Sequence, residues 1–174
     1  SRKGSYNYAE FQGCQMIELP YLGSSYSMFV VLPPEGMKID SFLPYVNENV
    51  YKQAMGMLAP AQVKFRMPKV KMETEMLLND VLMGMGVRTA FTGAADFKGI
   101  SETGPLVVSQ VKQKCYIDVT EKGTEAAAVT SVQVRLTSVD RNPVARMTVD
   151  RPYLFFIQDN QSGNILFMGK VVDL

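Results

Sequence analysis

The chain has 174 residues, of which 47% are hydrophobic and 20% are charged, and its formal net charge is +1. This composition is sufficient for a packed core, and the balanced charge gives no reason to expect nucleic acid or an anionic membrane as a partner. The absence of histidine excludes Ser-His-Asp and Cys-His catalytic sites and His-ligated zinc, so no enzyme is expected.

Two apolar runs near the start of the chain, residues 14–19 and 26–32, predict the strands of a hairpin joined by a turn at residues 21–25. Both runs are more apolar than strict alternation requires, which indicates strands covered on both faces. Residues 33–36 (PPEG) end the second strand, because proline lacks the N–H group that a sheet needs.

Strands outnumber helices through the rest of the chain, which indicates a strand-dominated α+β class. Residues 61–71 alternate apolar with basic side chains, which predicts a strand with one charged face, interrupted at Pro68. Residues 159–163 (DNQSG) are typical of a hairpin loop between the last two strands. The further predicted elements are helices at residues 40–46, 49–57 and 73–85 and strands at residues 106–119, 147–149, 153–158 and 164–172.

The two cysteines, Cys14 and Cys115, each lie in an apolar stretch typical of a strand. We expect both to be buried free thiols, because an isolated thiol packs as a small hydrophobic group. Two thiols make neither a structural zinc site nor a disulfide scaffold, so we expect no metal and no cofactor. No uncharged apolar run reaches the ~18 residues that a membrane-spanning helix needs.

Residues 124–138 are unusual because they contain neither glycine nor proline and few charges. Every second residue from Thr124 to Leu136 is small or apolar, whereas Glu125 and Arg135 belong to the other set. A period of two places the first set on one face of a sheet. The segment is therefore either an ordinary strand or a strand-competent segment that is exposed in one state and paired in another. An exposed segment of this kind risks aggregation and needs a functional reason.

Six short motifs connect this chain to a known family. They are MPKVK (67–71), MGMGVRTAF (83–91), ADFKGIS (95–101), EKGTEAAA (121–128), VDRPYLFFI (149–157) and GNILFMGKV (163–171). In this order and spacing the motifs resemble those of the serpins, the serine protease inhibitor family, over essentially all of the chain.

The resemblance implies an α+β, multi-sheet serpin architecture with few helices in this portion. It assigns residues 1–174 to the C-terminal part of a single serpin domain, without the N-terminal helices and several strands of the central sheet. One of the missing strands would flank the inserted loop opposite residues 106–119. The remaining N-terminal serpin polypeptide is therefore an expected partner, whether separate or preceding residue 1. Family members also suggest an extracellular, secreted or periplasmic location.

The resemblance further implies that residues 121–146 form a hinge and a mobile reactive-centre loop, which inserts into the central sheet as a strand. Gln113 lies where relatives often carry histidine, in the region where that sheet opens, and we expect altered opening energetics rather than loss. The hinge residues are Glu121, Gly123, Thr124, Glu125, Ala126, Ala127 and Ala128, and the inward face of the loop continues with Thr130, Val132, Val134 and Leu136.

The implied function is inhibition of serine, and also cysteine, endopeptidases by a suicide-substrate trap on a metastable fold. The protease cleaves the loop and forms an acyl-enzyme, and loop insertion then displaces it. Burying an unpaired charge costs several kcal/mol, so an uncharged hinge face favours an inhibitor. The alternative is a non-inhibitory serpin that carries a ligand or acts as a chaperone.

Two positions remain open for the cleaved bond. The number of residues that usually separates the hinge from the cleaved bond in serpins predicts Thr137–Ser138. Counting back from Pro152 instead predicts Arg141–Asn142. The first favours elastase-like or broad-specificity proteases, and Arg135, Arg141 and Arg146 keep trypsin-like targets open.

A basic run in the predicted strand of residues 61–71 also has two readings. A solvated strand face is favoured because the overall charge is close to zero, and a polyanion-binding surface is the alternative. The run consists of Lys64, Arg66, Lys69 and Lys71.

Overall fold

A computed structural model describes residues 2–100, 104–120 and 144–173 of the chain. The chain divides into two compact units, one made of Ser1–Val70 and Val119–Leu174 and the other of Lys71–Asp118. The strands are β1 (Arg2–Phe11), β2 (Cys14–Pro20), β3 (Tyr26–Leu32), β4 (Ala59–Arg66), β5 (Val70–Leu77), β6 (Lys112–Val119), β7 (Ala145–Thr148), β8 (Tyr153–Asp159) and β9 (Ile165–Val171). The helices are α1 (Ile39–Phe42), α2 (Glu48–Met57) and α3 (Asn79–Gly84), with 3-10 turns at Leu43–Tyr45 and Thr89–Phe91.

The larger unit is built on a seven-stranded sheet in the order β7-β4-β1-β2-β3-β8-β9. Its pairs are antiparallel except for β4 and β7, which are parallel. The predicted hairpin is confirmed as β2 and β3, and six of the seven residues of β3 are buried. The stacked rings of Phe29 and Phe156, whose centroids are 4.8 Å apart, join β3 to β8. Ile39 and Phe42 of α1 and Ala54 of α2 belong to the same core cluster.

The first strand, β1, was not predicted from the sequence. Its residues include lysine, serine, asparagine and glycine and show no clean apolar period. The strand is stabilised by its neighbours, since it pairs with β4 over seven positions and with β2 over four. Nonlocal pairing therefore overrides weak local preference here.

The helix predicted at residues 73–85 is wrong over its first half. Strand β5 continues to Leu77, and only α3 is helical. The spacing of Met76, Leu77 and Val81 satisfies a helical period, but β5 is paired with β6. The strand predicted at residues 106–119 is correspondingly shorter, because residues 105–111 are not a strand and β6 begins at Lys112.

Cys14 is buried as predicted, and burial raises the pKa of its thiol, which keeps it protonated and unreactive. Cys115 is a free thiol but only partly buried, which corrects the prediction for this residue. It lies in β6, whose sheet has two strands in the part of the chain that the structure describes, so its cover is incomplete.

Gly169 in β9 is required by the close approach of a neighbouring ring. A Cβ atom at this position would lie 2.8 Å from two ring atoms of Phe155, which is buried in β8. We expect Gly169→Ala to lower the free energy of unfolding by about 1–3 kcal/mol, because the rigid ring cannot move aside without strain.

The matched control is Gly56→Ala in α2, where nothing lies within 4 Å of the added Cβ. Alanine is the better helix former, so this variant should be stabilised by about 0.5–1 kcal/mol. Thermal unfolding of the assembled protein measures both changes. Equal stability of the two variants would contradict the assignment of strain to Gly169.

Candidate functional site

The candidate functional regions are two strands, each described by itself, that come before and after residues 121–143, which we call the loop segment. Strand β6 ends at Val119 in the two-stranded sheet, and β7 begins at Ala145 in the seven-stranded sheet. The hinge at residues 121–128, the inward face at 130–136 and both candidate bonds, Thr137–Ser138 and Arg141–Asn142, lie outside the described residues.

Strand β6 has one strand neighbour, β5, among the residues that the structure describes. An edge strand presents backbone N–H and C=O groups to any further strand that can reach it. Strand addition to such an edge gains main-chain hydrogen bonds whatever the sequence of the incoming strand. The strand that leads into the loop segment can therefore accept a new neighbour.

Ion pairs hold β6 against β5 on the exposed face. The carboxylate of Glu75 accepts from the ammonium groups of Lys112 at 2.5 Å and Lys114 at 3.0 Å. The hydrogen bonds from Lys112 and then Lys114 lower the pKa of Glu75. On the same strand pair, the ammonium of Lys71 lies 6.0 Å from the ring centroid of Tyr116. These contacts tie β6 to its partner while leaving its other edge unoccupied by described residues.

The start of β6 is fixed by a single asparagine. The side chain of Asn79, the first residue of α3, donates to the carbonyl of Ser109 at 3.0 Å and accepts from the amide of Val111 at 2.8 Å. The amide of Leu78 donates to the carbonyl of Val111 at 2.9 Å. The chain therefore enters β6 from a defined position.

Gln113 is the second residue of β6, and its side chain is exposed. Within the described residues its amide group makes no side-chain hydrogen bond. Both its donor and its acceptor are thus available to another strand or to water. Its role in sheet opening stays a prediction.

Strand β7 fixes the other side of the loop segment to the larger sheet. It pairs with β4 over four positions, and the amide of Val149 continues the pattern by donating to the carbonyl of Arg66 at 2.8 Å. Met147 is 0% exposed and Val149 is 3% exposed. The chain that follows the loop segment is therefore anchored by both backbone pairing and burial.

A polar network beside β7 adds a side-chain anchor. The amide of Gln15 donates to the carbonyl of Arg146 at 2.9 Å, to the phenol of Tyr8 at 2.7 Å and to Glu10 at 3.1 Å. The hydroxyl of Tyr8 in turn donates to Glu10, and burial raises the pKa of Tyr8, with the Glu10 hydrogen bond adding to it. These bonds lower the pKa of Glu10, so the network pairs a neutral phenol with a carboxylate. The network borders a cleft of about 540 Å³.

The DRP motif after β7 closes the same region. The guanidinium of Arg151 donates twice to the carbonyl of Pro33, at 3.2 and 2.9 Å, and pairs with Asp150 at 3.1 Å. Tyr153, which follows in β8, is 1% exposed, and burial raises its pKa to about 12. Arg151 thus joins the end of β3 to the segment between β7 and β8. Sequence reasoning assigned the motif to a family without finding this contact.

No cluster of three or more metal-ligating side chains occurs among residues 2–100, 104–120 and 144–173. No helix in these ranges is long and apolar enough to cross a membrane.

Comparison with known proteins identifies the fold. The sequence model of the family described as "Serpin (serine protease inhibitor)" matches residues 1–174. The chain belongs to the serpin family. An uncharacterized serpin-like protein of Methanosarcina acetivorans is 43% identical over 170 residues, which cover 95% of this chain and 39% of that protein. Intracellular coagulation inhibitor 2 of Tachypleus tridentatus is 34% identical over 174 residues, which cover 100% of this chain and 42% of the relative.

Solved structures agree with this assignment. Thyroxine-binding globulin in complex with thyroxine superposes with a TM-score of 0.80 at 26% identity, covering 99% of this chain and 45% of that chain. This serpin chain spans about two fifths of the length of its curated relatives. The α+β class, the multi-strand sheet with few helices and the family predicted from the motifs are confirmed.

Proposed function

We propose that this chain is the C-terminal part of a serpin that inhibits serine endopeptidases, with cysteine endopeptidases as a second target class. The observation that carries the proposal is the pattern of residues 124–136, in which every second residue is small or apolar and uncharged. Such a face can enter a sheet without the several kcal/mol that an unpaired buried charge costs. We take β6 as the accepting edge, and its single described strand neighbour supports this choice.

The trapping step follows from the chemistry of acyl transfer. The protease hydroxyl or thiol attacks the carbonyl of Thr137, the bond to Ser138 breaks, and the new amino group of Ser138 takes a proton. Thr137 then remains as an acyl group on the protease. Insertion of about 14 residues at roughly 3.3 Å each carries the attached protease on the order of 45 Å before water can complete hydrolysis.

The rest of the serpin domain is required for this step. The opposite neighbour of the inserting strand has no counterpart among the described residues, so a further polypeptide must supply it. An inserting strand with partners on both sides satisfies all of its backbone groups, whereas a strand on β6 alone leaves one edge open. The proposal therefore concerns the assembled protein, meaning this chain together with the remaining serpin polypeptide.

Two further parts of the proposal rest on the family. The alternative function is a non-inhibitory carrier, and thyroxine-binding globulin, solved in complex with thyroxine, is a structural neighbour. The uncharged hinge face favours inhibition over this alternative. We propose an extracellular or periplasmic location, although one relative is named as an intracellular coagulation inhibitor.

Incubation of the assembled protein with pancreatic elastase and with trypsin tests the proposal. We expect a covalent complex that survives detergent electrophoresis, and mass spectrometry of the released C-terminal fragment should identify Ser138 as its first residue. A fragment beginning at Asn142 would assign the alternative bond. Complete cleavage of the loop without any covalent complex would favour the carrier.

A further inference from the structure

Three basic side chains lie side by side across the sheet next to the loop segment. Lys3 of β1 is in register with Lys64 of β4, and Lys64 is in register with Arg146 of β7. Residues in register on neighbouring strands project from the same face, with Cβ atoms about 5 Å apart. We call Lys3, Lys64 and Arg146 the basic row. Arg66 extends it on the same face, two residues further along β4.

The face that carries the basic row is open, whereas the opposite face is closed. Val63 and Met147, which point the other way from the same strands, are 0% exposed. Lys3, Lys64 and Arg146 are all exposed. This part of the sheet therefore has one packed face and one solvated face.

No ion pair between described residues involves Lys3, Lys64 or Arg146. Glu10 and Glu35 line the same cleft as Arg146, and Glu10 is engaged by Tyr8 and Gln15. Asp150 pairs with Arg151 at 3.1 Å. Glu18 accepts hydrogen bonds from Asn7 at 2.7 Å and Ser27 at 2.6 Å. The positive charge of Lys3 and Lys64 is consequently not neutralised by an ion pair with any described residue.

The basic row is a local feature that opposes folding. Like charges directly opposite one another on neighbouring strands destabilise a sheet. The whole chain carries a net charge of only +1, so the row does not follow from a generally basic composition. A concentrated cationic face in a nearly neutral chain is suited to steering an acidic partner.

The position of the basic row brings it within reach of a protease bound to the loop. Ser138 and Arg146 are eight residues apart in the sequence, a span of at most about 29 Å when fully extended. A protease of about 220 residues has a radius of gyration of about 17 Å, which for a solid sphere means a diameter of about 44 Å, so the protease is wider than this span. A protease engaged at either candidate bond can thus place the rim of its active-site cleft against the face of β7 and β4.

We propose that the basic row is an exosite that selects target proteases with an acidic surface beside the active-site cleft. This inference rests on the proposed inhibitory function and adds a partner property that the loop sequence does not contain. Acidic proteases approach faster because the row attracts them, and cationic proteases of the same cleavage specificity are repelled. The basic row changes the rate of association with the protease, whereas the hinge changes the rate of loop insertion after cleavage.

Anionic and cationic trypsin, which share cleavage specificity and differ in surface charge, test the exosite on the assembled protein. We expect the wild-type protein to associate faster with the anionic form. Lys64→Glu should lower that rate about fivefold and raise the rate with the cationic form, and 1 M salt should remove the difference. The control Lys38→Glu makes the same charge change at an exposed lysine outside the row and should alter neither rate.

A stability measurement separates loss of an exosite from damage to the fold. Lys64→Gln removes the central charge of the basic row, so its Tm should rise by on the order of 1 °C while association with anionic trypsin slows. A lower Tm accompanied by slower association with both trypsins would overturn the proposal, since the effect would then be structural.

The remaining outcomes each decide the question. Covalent complexes that form at rates insensitive to Lys64→Glu would overturn the exosite and leave the inhibitory function standing. Absence of any complex with either trypsin or with pancreatic elastase would overturn the inhibitory function and this inference together. Heparin binding lost in Lys64→Glu, with unchanged trypsin rates, would assign the row to a polyanion instead. Protection of Lys3 and Lys64 from acetylation in the assembled protein would show that the remaining polypeptide covers the row, which also overturns it.

Discussion

Thr124→Arg is expected to convert the inhibitor into a substrate. Thr124 begins the alternating face that must enter the sheet, and an arginine there would bury an unpaired charge at the first inserted position. The cost of several kcal/mol slows insertion by at least a hundredfold if it falls on the insertion barrier, since about 1.4 kcal/mol is a factor of ten. Hydrolysis of the acyl-enzyme then finishes first. The number of inhibitor molecules consumed per protease inactivated should rise at least tenfold.

Ala127→Arg is the matched control for this variant. Ala127 lies three residues further along and belongs to the alternate set, whose side chains point away from the inserting face. An arginine there remains in solvent, so covalent complex formation should be preserved. If Thr124→Arg and Ala127→Arg behave alike, the assignment of faces in the hinge is wrong.

Cleavage of the loop segment should make the assembled protein more resistant to heat. A loop that enters a sheet gains main-chain hydrogen bonds on both sides and buries its small and apolar face. Several kcal/mol of added stability raise Tm by about 5 °C in a protein of serpin size. Differential scanning calorimetry before and after limited proteolysis measures the change.

The Thr124→Arg protein provides the comparison for the thermal experiment. Its cleaved form should gain fewer degrees than the cleaved wild-type protein, because the same buried charge opposes insertion. An unchanged Tm after complete cleavage of the wild-type protein would contradict loop insertion itself. A full gain in the variant would instead place Thr124 outside the inserted face.

The local pattern of apolar residues is sufficient to predict the strands at the centre of the larger sheet. The apolar runs of β2, β3 and β8 predict their own burial, and their bounds agree with the structure to within a residue. Strand β1 has no such run and depends on pairing with distant residues. At the end of β5, Met76 and Leu77 fit a helical spacing with Val81, and pairing with β6 makes this part of the chain a strand.

The candidate site was predictable only where a motif marks it. The hinge and the DRP motif stand out in the sequence because their composition is unusual. The bond from Gln15 to Arg146 joins residues 131 apart in the chain, and that from Arg151 to Pro33 joins residues 118 apart. The basic row likewise depends on the register of three strands, which no local pattern specifies.

The order of strands in the larger sheet determines whether the two pieces stay together after the backbone is cut in the loop segment. β8 lies between β3 and β9, and β7 lies against β4. The strands that follow the loop segment are therefore hydrogen-bonded, directly or through a neighbour, to strands that precede it. A backbone cut therefore yields two polypeptides that behave as one particle. Gel filtration in native buffer should report no loss of mass, and only a denaturant will release the smaller piece.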